Sequence, residues 1–469
     1  MHLIGICGTA MATLAALLKH RGMDVGGSDA HVYPPMSDFL AAEGIPILDG
    51  FDEAHITGDI DLVVVGNAVS RGNPEVEAVL DRKLRYTSLP EALRDHFLRD
   101  RPSVVVAGTH GKTTTTSLAG WLLTAGGVDP TVFVGGIARN LGDGGASYRV
   151  GAAGAPMVIE GDEYDSAFFD KTAKFLKYLP DVAVIGNIEF DHADIYADLE
   201  EIRVAFRRLV NLVPRRGLTL LGADSAEAAA LAGGARSRVE TFGTSEGADW
   251  RATGVEPAGP PGTPGAGRTA FRVRRRGEDL GRFVVPMVGT HNVRNALAAL
   301  AVGTEFGVSL DRLREGLAGF AGVKRRLELV GERRDVRVYD DFAHHPTAVA
   351  ETLAAMRAAE PGRRLWAIFE PRSASSCRRV FQADFARAFA SADEVVIASV
   401  YRSSLPEAER LSEDALVADL RRAGVAARHL PDVDAIVAAV GAEARAGDLV
   451  VVMSNGGFGG IHGRLLEAL

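Results

Sequence analysis

Apolar residues along this chain gather into short continuous runs, each followed by a longer segment of helical character. "HLIGI" reads as a first strand, the stretch 9–22 as a helix, and "DVGGSD" and "DLVVVGNAV" as further strands. The alternation restarts at "SVVVAG", which leads through a glycine-containing turn into a helix beginning near Thr113. The strands "PMVIEGD" and "VAVIGNI" and a helix over 198–210 come next. Helical segments "NVRNALAALAVGTEFG" and "LDRLREGLAGF" carry this second block to about 320. A third block repeats the scheme with "VRVYDDF", "RLWAIFE", "DEVVIASV" and "AGDLVVVMSNGG". Buried-type strands separated by helices predict β/α units and an α/β fold. The expected boundaries are 1–97, 98–319 and 320–469. One stretch departs from the pattern: 250–270 is rich in Gly and Pro. It is expected to be a loop of a small sheet, flanked by "FRVRR" and "GRFVVPM" as short antiparallel strands.

Length and composition narrow the class. A chain of 469 residues exceeds what one core can organise, and 47% hydrophobic with 24% charged residues is ordinary for a folded, soluble protein. A net charge of −9 argues against a dedicated nucleic-acid binder. No apolar stretch approaches the roughly 18 residues a membrane span needs. The opening "MHLIGICGTAM" runs straight into a strand without a basic leader, so a cytoplasmic enzyme is expected. Cys7 and Cys377 form no disulfide framework or metal-ligand pattern and are expected to pack as small residues.

The candidate chemistry lies at the ends of the predicted strands. "GTHGKTTTTS" follows an apolar strand and enters a helix, the geometry in which backbone N–H groups and the positive helix end face a phosphate. Its glycines, Gly108 and Gly111, are closer together than in the common phosphate loop. Lys112 can meet terminal phosphates and the Thr113 hydroxyl can ligate Mg²⁺. Two other strands end in acidic clusters, Glu160, Asp162, Glu163 and Asp165 in one, Asn187, Glu189, Asp191, His192 and Asp194 in the other. Taken singly, Glu163 and most of these acids read as ordinary surface residues. Three strand ends carrying phosphate- and Mg²⁺-type ligands are expected to converge in one site. In the first block, "GICGTA" with Asp29 fits a Rossmann-like turn. Cys7 and Ala10 break its full glycine fingerprint, so a nucleotide diphosphate sugar fits as well as NAD. Arg325 and Arg326 read as a solvated pair. Asn292 and Asn295 share one helical face, and His291 reads equally as ligand-facing or as a helix-start residue.

"GTHGKTTT", "EGDEYDSAFFD", "NIEFDHAD", "GTHNVRNALAA", "VKRRLE", "DDFAHHPTAV" and "MSNGGFGG", in this order across essentially the whole chain, resemble the Mur ligases, ATP-dependent amide-forming enzymes of peptidoglycan metabolism. The resemblance implies three α/β domains: a Rossmann-like N-terminal domain for the uridine nucleotide, a central P-loop ATPase-type domain, and a Rossmann-like C-terminal domain for the amine substrate. It implies ATP held by Gly108, Thr109, His110, Gly111, Lys112, Thr113 and Thr114, with Asn292, Asn295 and Arg326 beside it. Mg²⁺ ligands would be Thr113, Glu160 and His192. Lys112, Glu160, His192, Arg326 (or its neighbour Arg325), Asp340 (or its neighbour Asp341) and His344 would form the catalytic set. Gly5, Gly8, Thr9 and Asp29 would bind the nucleotide sugar. "GSDAHVYPPMSDFL", "YDSAFFD", "FEPRS" and "SNGGFGGIH" resemble the recycling branch, implying UDP-N-acetylmuramate and the murein tripeptide L-alanyl-γ-D-glutamyl-meso-diaminopimelate as substrates; the alternative is the biosynthetic branch that adds a single L-alanine to the same nucleotide sugar. Arg372, with Ser373 and Ser375, would meet the distal carboxylates. The chain is expected to be a monomer or weak homo-oligomer, without nucleic-acid or membrane partners. The helix "EEIRVAFRRLVNL" has no lysine where several family members carry a carbamylated one. Arginine cannot replace it, since the guanidinium stays charged.

Overall fold

The computed structural model describes residues 1–34, 36–142, 144–260, 267–401 and 405–469. Three large sheets organise the described residues, beside a small antiparallel pair of Asp165–Ala167 with Asp170–Ala173. In the first, five parallel strands run in the spatial order Ile47–Asp49, Gly26–Asp29, His2–Ile4, Val63–Val65, Tyr86–Ser88. Chain order reverses direction at His2–Ile4, so a crevice opens beyond its carboxyl end, where Gly5–Gly8 turn into the helix Thr9–His20.

The second sheet has ten strands. Its middle is parallel, with Leu218–Gly222, Val182–Ile185, Ser103–Ala107, Met157–Gly161 and Thr131–Ala138 side by side. Val104, Val105, Val158, Ile159 and Val184 are fully buried, as parallel strands covered on both faces require. Helices Lys112–Ala125 and Thr290–Glu305 cover one face, with Leu118, Leu122, Leu297 and Leu300 in a common core. On the other face Phe206 of the helix Leu199–Leu212 packs against Phe175, and this cluster continues into Leu14, Leu18 and Leu93 of the first block.

Two expected strands are arranged differently from the reading above. "FRVRR" and "GRFVVPM" lie in Thr269–Arg275 and Glu278–Val285 and pair antiparallel through the tight turn between them. The Gly/Pro-rich excursion instead joins Trp250–Pro257 to Thr269–Arg275, and its residues 261–266 lie outside the described residues. A register pairing Trp250 with Arg275 buries Trp250 under that guanidinium, which fixes the ribbon on the core. The third sheet runs Glu328–Arg333, Val336–Asp341, Leu449–Met453, Leu365–Phe369, Glu394–Ala398, Ala426–Leu430; only its first pair is antiparallel.

Candidate active site

Register brings the three expected strand ends together. Ile185 pairs with Ala107 and Ala107 with Gly161, so the phosphate-type loop, Glu160–Glu163 and Asn187–His192 leave neighbouring strands at one level. Gly108 has φ +131°, and Gly111, at φ +79°, caps the helix that follows. A Cβ on Gly111 would lie 2.5 Å from Asn295 Oδ1, so only glycine lets the loop meet the Asn292–Asn295 helix face. The loop is stitched to the next strand: the Thr109 amide donates to the Asn187 carbonyl at 3.0 Å and the His110 amide to Asn187 Oδ1 at 2.8 Å.

Lys112 Nζ donates to Glu163 at 2.8 and 3.1 Å and to the Gly108 carbonyl at 2.8 Å. Burial opposes the ammonium, but Glu163 and Asp162 outweigh it and raise the pKa. Glu163 also lies 3.2 Å from His192 Nε2. At 2% exposure it is no surface acid, and the expectation that it was one is corrected here. Burial pushes its carboxyl up, and the Lys112 and His192 charges pull it below the ordinary range. His192 sits at φ +52°, a conformation that costs a non-glycine residue energy and tends to persist where function holds it. Burial lowers its pKa and Glu163 more than restores it, leaving it raised.

Thr113 Oγ1 donates to Glu160 Oε1 at 2.8 Å, and Glu160 Oε2 accepts from the Gly135 amide at 2.7 Å. Burial and nearby Asp162 push the Glu160 carboxyl up, against the Gly135, Lys112 and Thr113 contacts. A hydroxyl and a buried carboxylate of raised pKa side by side are oxygen donors suited to a hard divalent cation, whose charge would hold the carboxylate ionised. Thr114 is buried behind them in the same first helical turn.

From the third block Arg326 Nη2 reaches Thr113 Oγ1 at 3.2 Å, so it is not a solvated residue. Arg325 (φ +59°) and Leu327 (φ +47°) bracket it in left-handed conformations. The two adjacent aspartates diverge, as neighbours on a strand must. Asp340 pairs with Arg325 Nε at 3.1 Å and lies 3.3 Å from His462 Nε2, inside the third block. Asp341 is buried, accepts from the Leu327 amide at 2.7 Å and feels the Arg326 charge. Of the two, Asp341 is the one turned toward the Arg326 side, so the structure does not place Asp340 at the phosphate loop. His344 Nδ1 donates to the Phe342 carbonyl at 3.0 Å, and burial lowers its pKa against the pull of Asp191. His291 accepts at Nε2 from Asn292 Nδ2 at 3.0 Å, and burial lowers its pKa too. Asn295 Nδ2 donates to Asn292 Oδ1 at 3.2 Å.

Two other expected groups stand apart from this cluster. Asp29 Oδ2 accepts from the Cys7 amide at 2.9 Å and so braces the Gly5–Gly8 turn, leaving Gly8 and Thr9 exposed at the helix start. Arg372 lies over the Tyr401 ring at 3.7 Å and against Gly456. Ser375 Oγ donates to Asp191 Oδ1 at 2.5 Å, which ties the "FEPRS" loop to the central strand end rather than leaving that hydroxyl free. Sequence reading placed Glu163 and Asp191 in the converging acidic clusters without giving either a role, and it passed over Gly135. Only the position of Glu163, three residues after Glu160 at a strand end, pointed to it.

Three family models match this chain: "Mur ligase family, catalytic domain" over residues 1–101, "Mur ligase middle domain" over 106–303, and "Mur ligase, glutamate ligase domain" over 325–456. The chain belongs to the Mur ligase family. It is 41% identical over 472 residues to the UDP-N-acetylmuramate–L-alanyl-gamma-D-glutamyl-meso-2,6-diaminoheptandioate ligase of Haemophilus influenzae, covering 100% of this chain and 99% of that protein. It is also 41% identical over 464 residues to the UDP-N-acetylmuramate–L-alanine ligase of Kineococcus radiotolerans, covering 97% and 93%. The crystal structure of a murein peptide ligase from Psychrobacter arcticus matches with a TM-score of 0.72 at 37% identity, covering 100% of this chain and 98% of that one. The three sheets are therefore those of a three-domain Mur ligase, and the chain is an ATP-dependent ligase of this family. Among the described residues, no helix is long and apolar enough to cross a membrane.

Proposed function

We propose that this Mur ligase joins UDP-N-acetylmuramate to L-alanyl-γ-D-glutamyl-meso-diaminopimelate, with ATP converted to ADP and phosphate, in peptidoglycan recycling. The full-length 41% identity to a ligase of that name carries the reading. In it, residues 1–97 bind the uridine nucleotide, 98–319 bind ATP and 320–469 bind the peptide. Gly5, Gly8, Thr9 and Asp29 line the nucleotide-sugar crevice. The glycine loop with Lys112, Thr113, Thr114, Asn292, Asn295 and Arg326 surrounds the triphosphate.

A carboxylate cannot acylate an amine directly, because oxide would have to leave. The lactyl carboxylate oxygen attacks the γ-phosphorus, the bond to ADP breaks, and an acyl phosphate results. The peptide amine, having lost a proton, attacks the acyl carbon; phosphate departs and an amide remains. Lys112 exchanges Glu163 for the phosphates and neutralises the charge that develops on transfer. Arg326, already on Thr113 Oγ1, adds a second cation from the C-terminal domain. Thr113, Glu160 and His192 would hold Mg²⁺, which supplies charge neutralisation at the transferred group. With the helix lysine missing, Glu163 is the carboxylate at the His192 imidazole, 3.2 Å from Nε2, and completes the surroundings of that ring. His344 carries its proton on Nδ1, leaving Nε2 to accept or orient the amine proton. Arg372 pairs with the distal carboxylates of the tripeptide.

The single-alanine reading is favoured by one observation, the equal identity to the Kineococcus ligase. Purified protein with ATP, Mg²⁺ and UDP-N-acetylmuramate is given either tripeptide or L-alanine, and phosphate release and product mass are measured. Turnover with tripeptide at least tenfold above L-alanine is expected. Efficient turnover with L-alanine alone would overturn the assignment.

A further inference from the structure

A second cluster lies where the central and C-terminal domains meet: it takes the side chain of His110, a residue of the phosphate loop, together with Glu189 and His345, to which no role is given above. His110 Nε2 is 3.2 Å from Glu189 Oε2, and His345 Nδ1 is 3.5 Å from the same oxygen. The three ligand atoms all lie within 4.8 Å of one another, and the imidazole centroids are 4.6 Å apart. Protons can be assigned from the partners. His345 Nε2 faces the Phe190 carbonyl at 3.1 Å, which only accepts, so Nε2 carries the hydrogen. Nδ1 carries no hydrogen: it accepts from the Thr347 amide at a long 3.3 Å and lies 3.5 Å from Glu189 Oε2. Nδ1 and the carboxylate oxygen are both electron-pair donors that a cation between them could share, at the expense of the weak Thr347 amide contact. Burial and the neighbouring His110 hold His345 well down, to about 4, against the pull of Asp191 and Glu189. The ring is therefore neutral at neutral pH, with Nδ1 available as a metal ligand.

The spacing fits a metal. At bond lengths of about 2.0–2.1 Å, tetrahedral ligands stand roughly 3.4 Å apart, close to the two observed separations. The Phe190 carbonyl holds the ring so that Nδ1 is presented, as backbone carbonyls do for metal-bound histidines. A cavity of about 380 Å³, lined by Glu189, Phe190, His345, Thr347, Phe381 and Arg387 among others, gives access and room for a water in the fourth position.

We propose that His110, Glu189 and His345 bind one Zn²⁺-type transition-metal ion that clamps the C-terminal domain onto the central domain. Two imidazoles and one carboxylate select such a cation over Mg²⁺, which prefers all-oxygen shells. Binding displaces the long Thr347 amide contact and moves the His110 proton to Nδ1, while the Thr347 hydroxyl keeps its 2.6 Å bond to Glu189 Oε2.

Metal-stripped full-length protein is titrated with Co²⁺, then Zn²⁺, in saturating Mg²⁺ without nucleotide. One equivalent of Co²⁺ with intense tetrahedral d–d absorption is expected, displaced by Zn²⁺. His345→Asn keeps a good helix cap but removes the imidazole, and should weaken binding at least tenfold, as should Glu189→Gln. His192→Ala should leave the tetrahedral band intact, which separates this site from the Mg²⁺ ligands of the ligase reading. Weak octahedral absorption only, or an affinity unchanged in both His345→Asn and Glu189→Gln with native circular dichroism, would overturn the proposal.

Discussion

Lys112 illustrates how much one side chain's neighbours decide. It is held by Glu163, which at the same time neutralises His192. Removing the cation by Lys112→Ala should lower ATP-dependent phosphate release by about 10²-fold or more, since the charge on the transferred group loses a fixed partner. Glu163→Gln keeps the shape and removes the charge that organises both cations, and a smaller loss, about tenfold, is expected in the same assay. Equal rates for wild type and Lys112→Ala would be incompatible with the site as described. The burial of Glu163 was unreadable in the sequence, because an acid after a strand is usually solvated and nothing local marks its burial. Arg326 was misread for the same reason, as half of an Arg–Arg surface pair. The choice between Asp340 and Asp341 was also open, since strand alternation says that they diverge but not which one faces Arg326.

At the scale of elements, the strand from Ser103, the loop after it and the start of the next helix were legible to within a residue of Lys112. An apolar run, two glycines and a threonine-rich helix start leave few alternatives. Its glycines have different work to do. Gly111 needs a left-handed backbone and also space beside Asn295, whereas Gly127, at φ +84°, has nothing within 4 Å of a Cβ. Gly111→Ala should therefore abolish most of the ATP-induced rise in melting temperature, with at least a tenfold loss of affinity. Gly127→Ala pays only the backbone strain of about 1–2 kcal/mol and should keep the ATP-induced rise. If both variants keep it, Asn295 does not set the loop's position. The antiparallel ribbon near 270–285 was assigned to the wrong connection because the Gly/Pro-rich stretch is a stronger turn signal than the short turn at Arg276–Gly277.

In the whole molecule, contacts far apart in sequence dock the C-terminal domain. These are Arg326 on Thr113, Thr347 on Glu189, Ser375 on Asp191 and His345 on the Phe190 carbonyl. His345 links this docking to pH. Its folded pKa of about 4 lies below the ordinary 6.5, so between these values the unfolded chain holds a proton that the folded chain does not. Stability consequently rises with pH across that window and is lost as pH falls from 6.5 toward 4, by no more than about 3 kcal/mol. With a chelator present, the denaturation midpoint should drop less between pH 7 and 4.5 in His345→Asn than in wild type. An identical drop would show that this histidine is not linked to folding. The sequence by itself determined the α/β architecture, the three-block order, the phosphate loop and the family, because periodicity, turn chemistry and ordered motifs are local properties of the chain. The tertiary structure alone decided that Glu163 is buried between Lys112 and His192, that Asp341 rather than Asp340 turns toward Arg326, and that His110, Glu189 and His345 meet. Burial and the pairing of charges depend on which distant strand ends the sheet register and domain docking bring together.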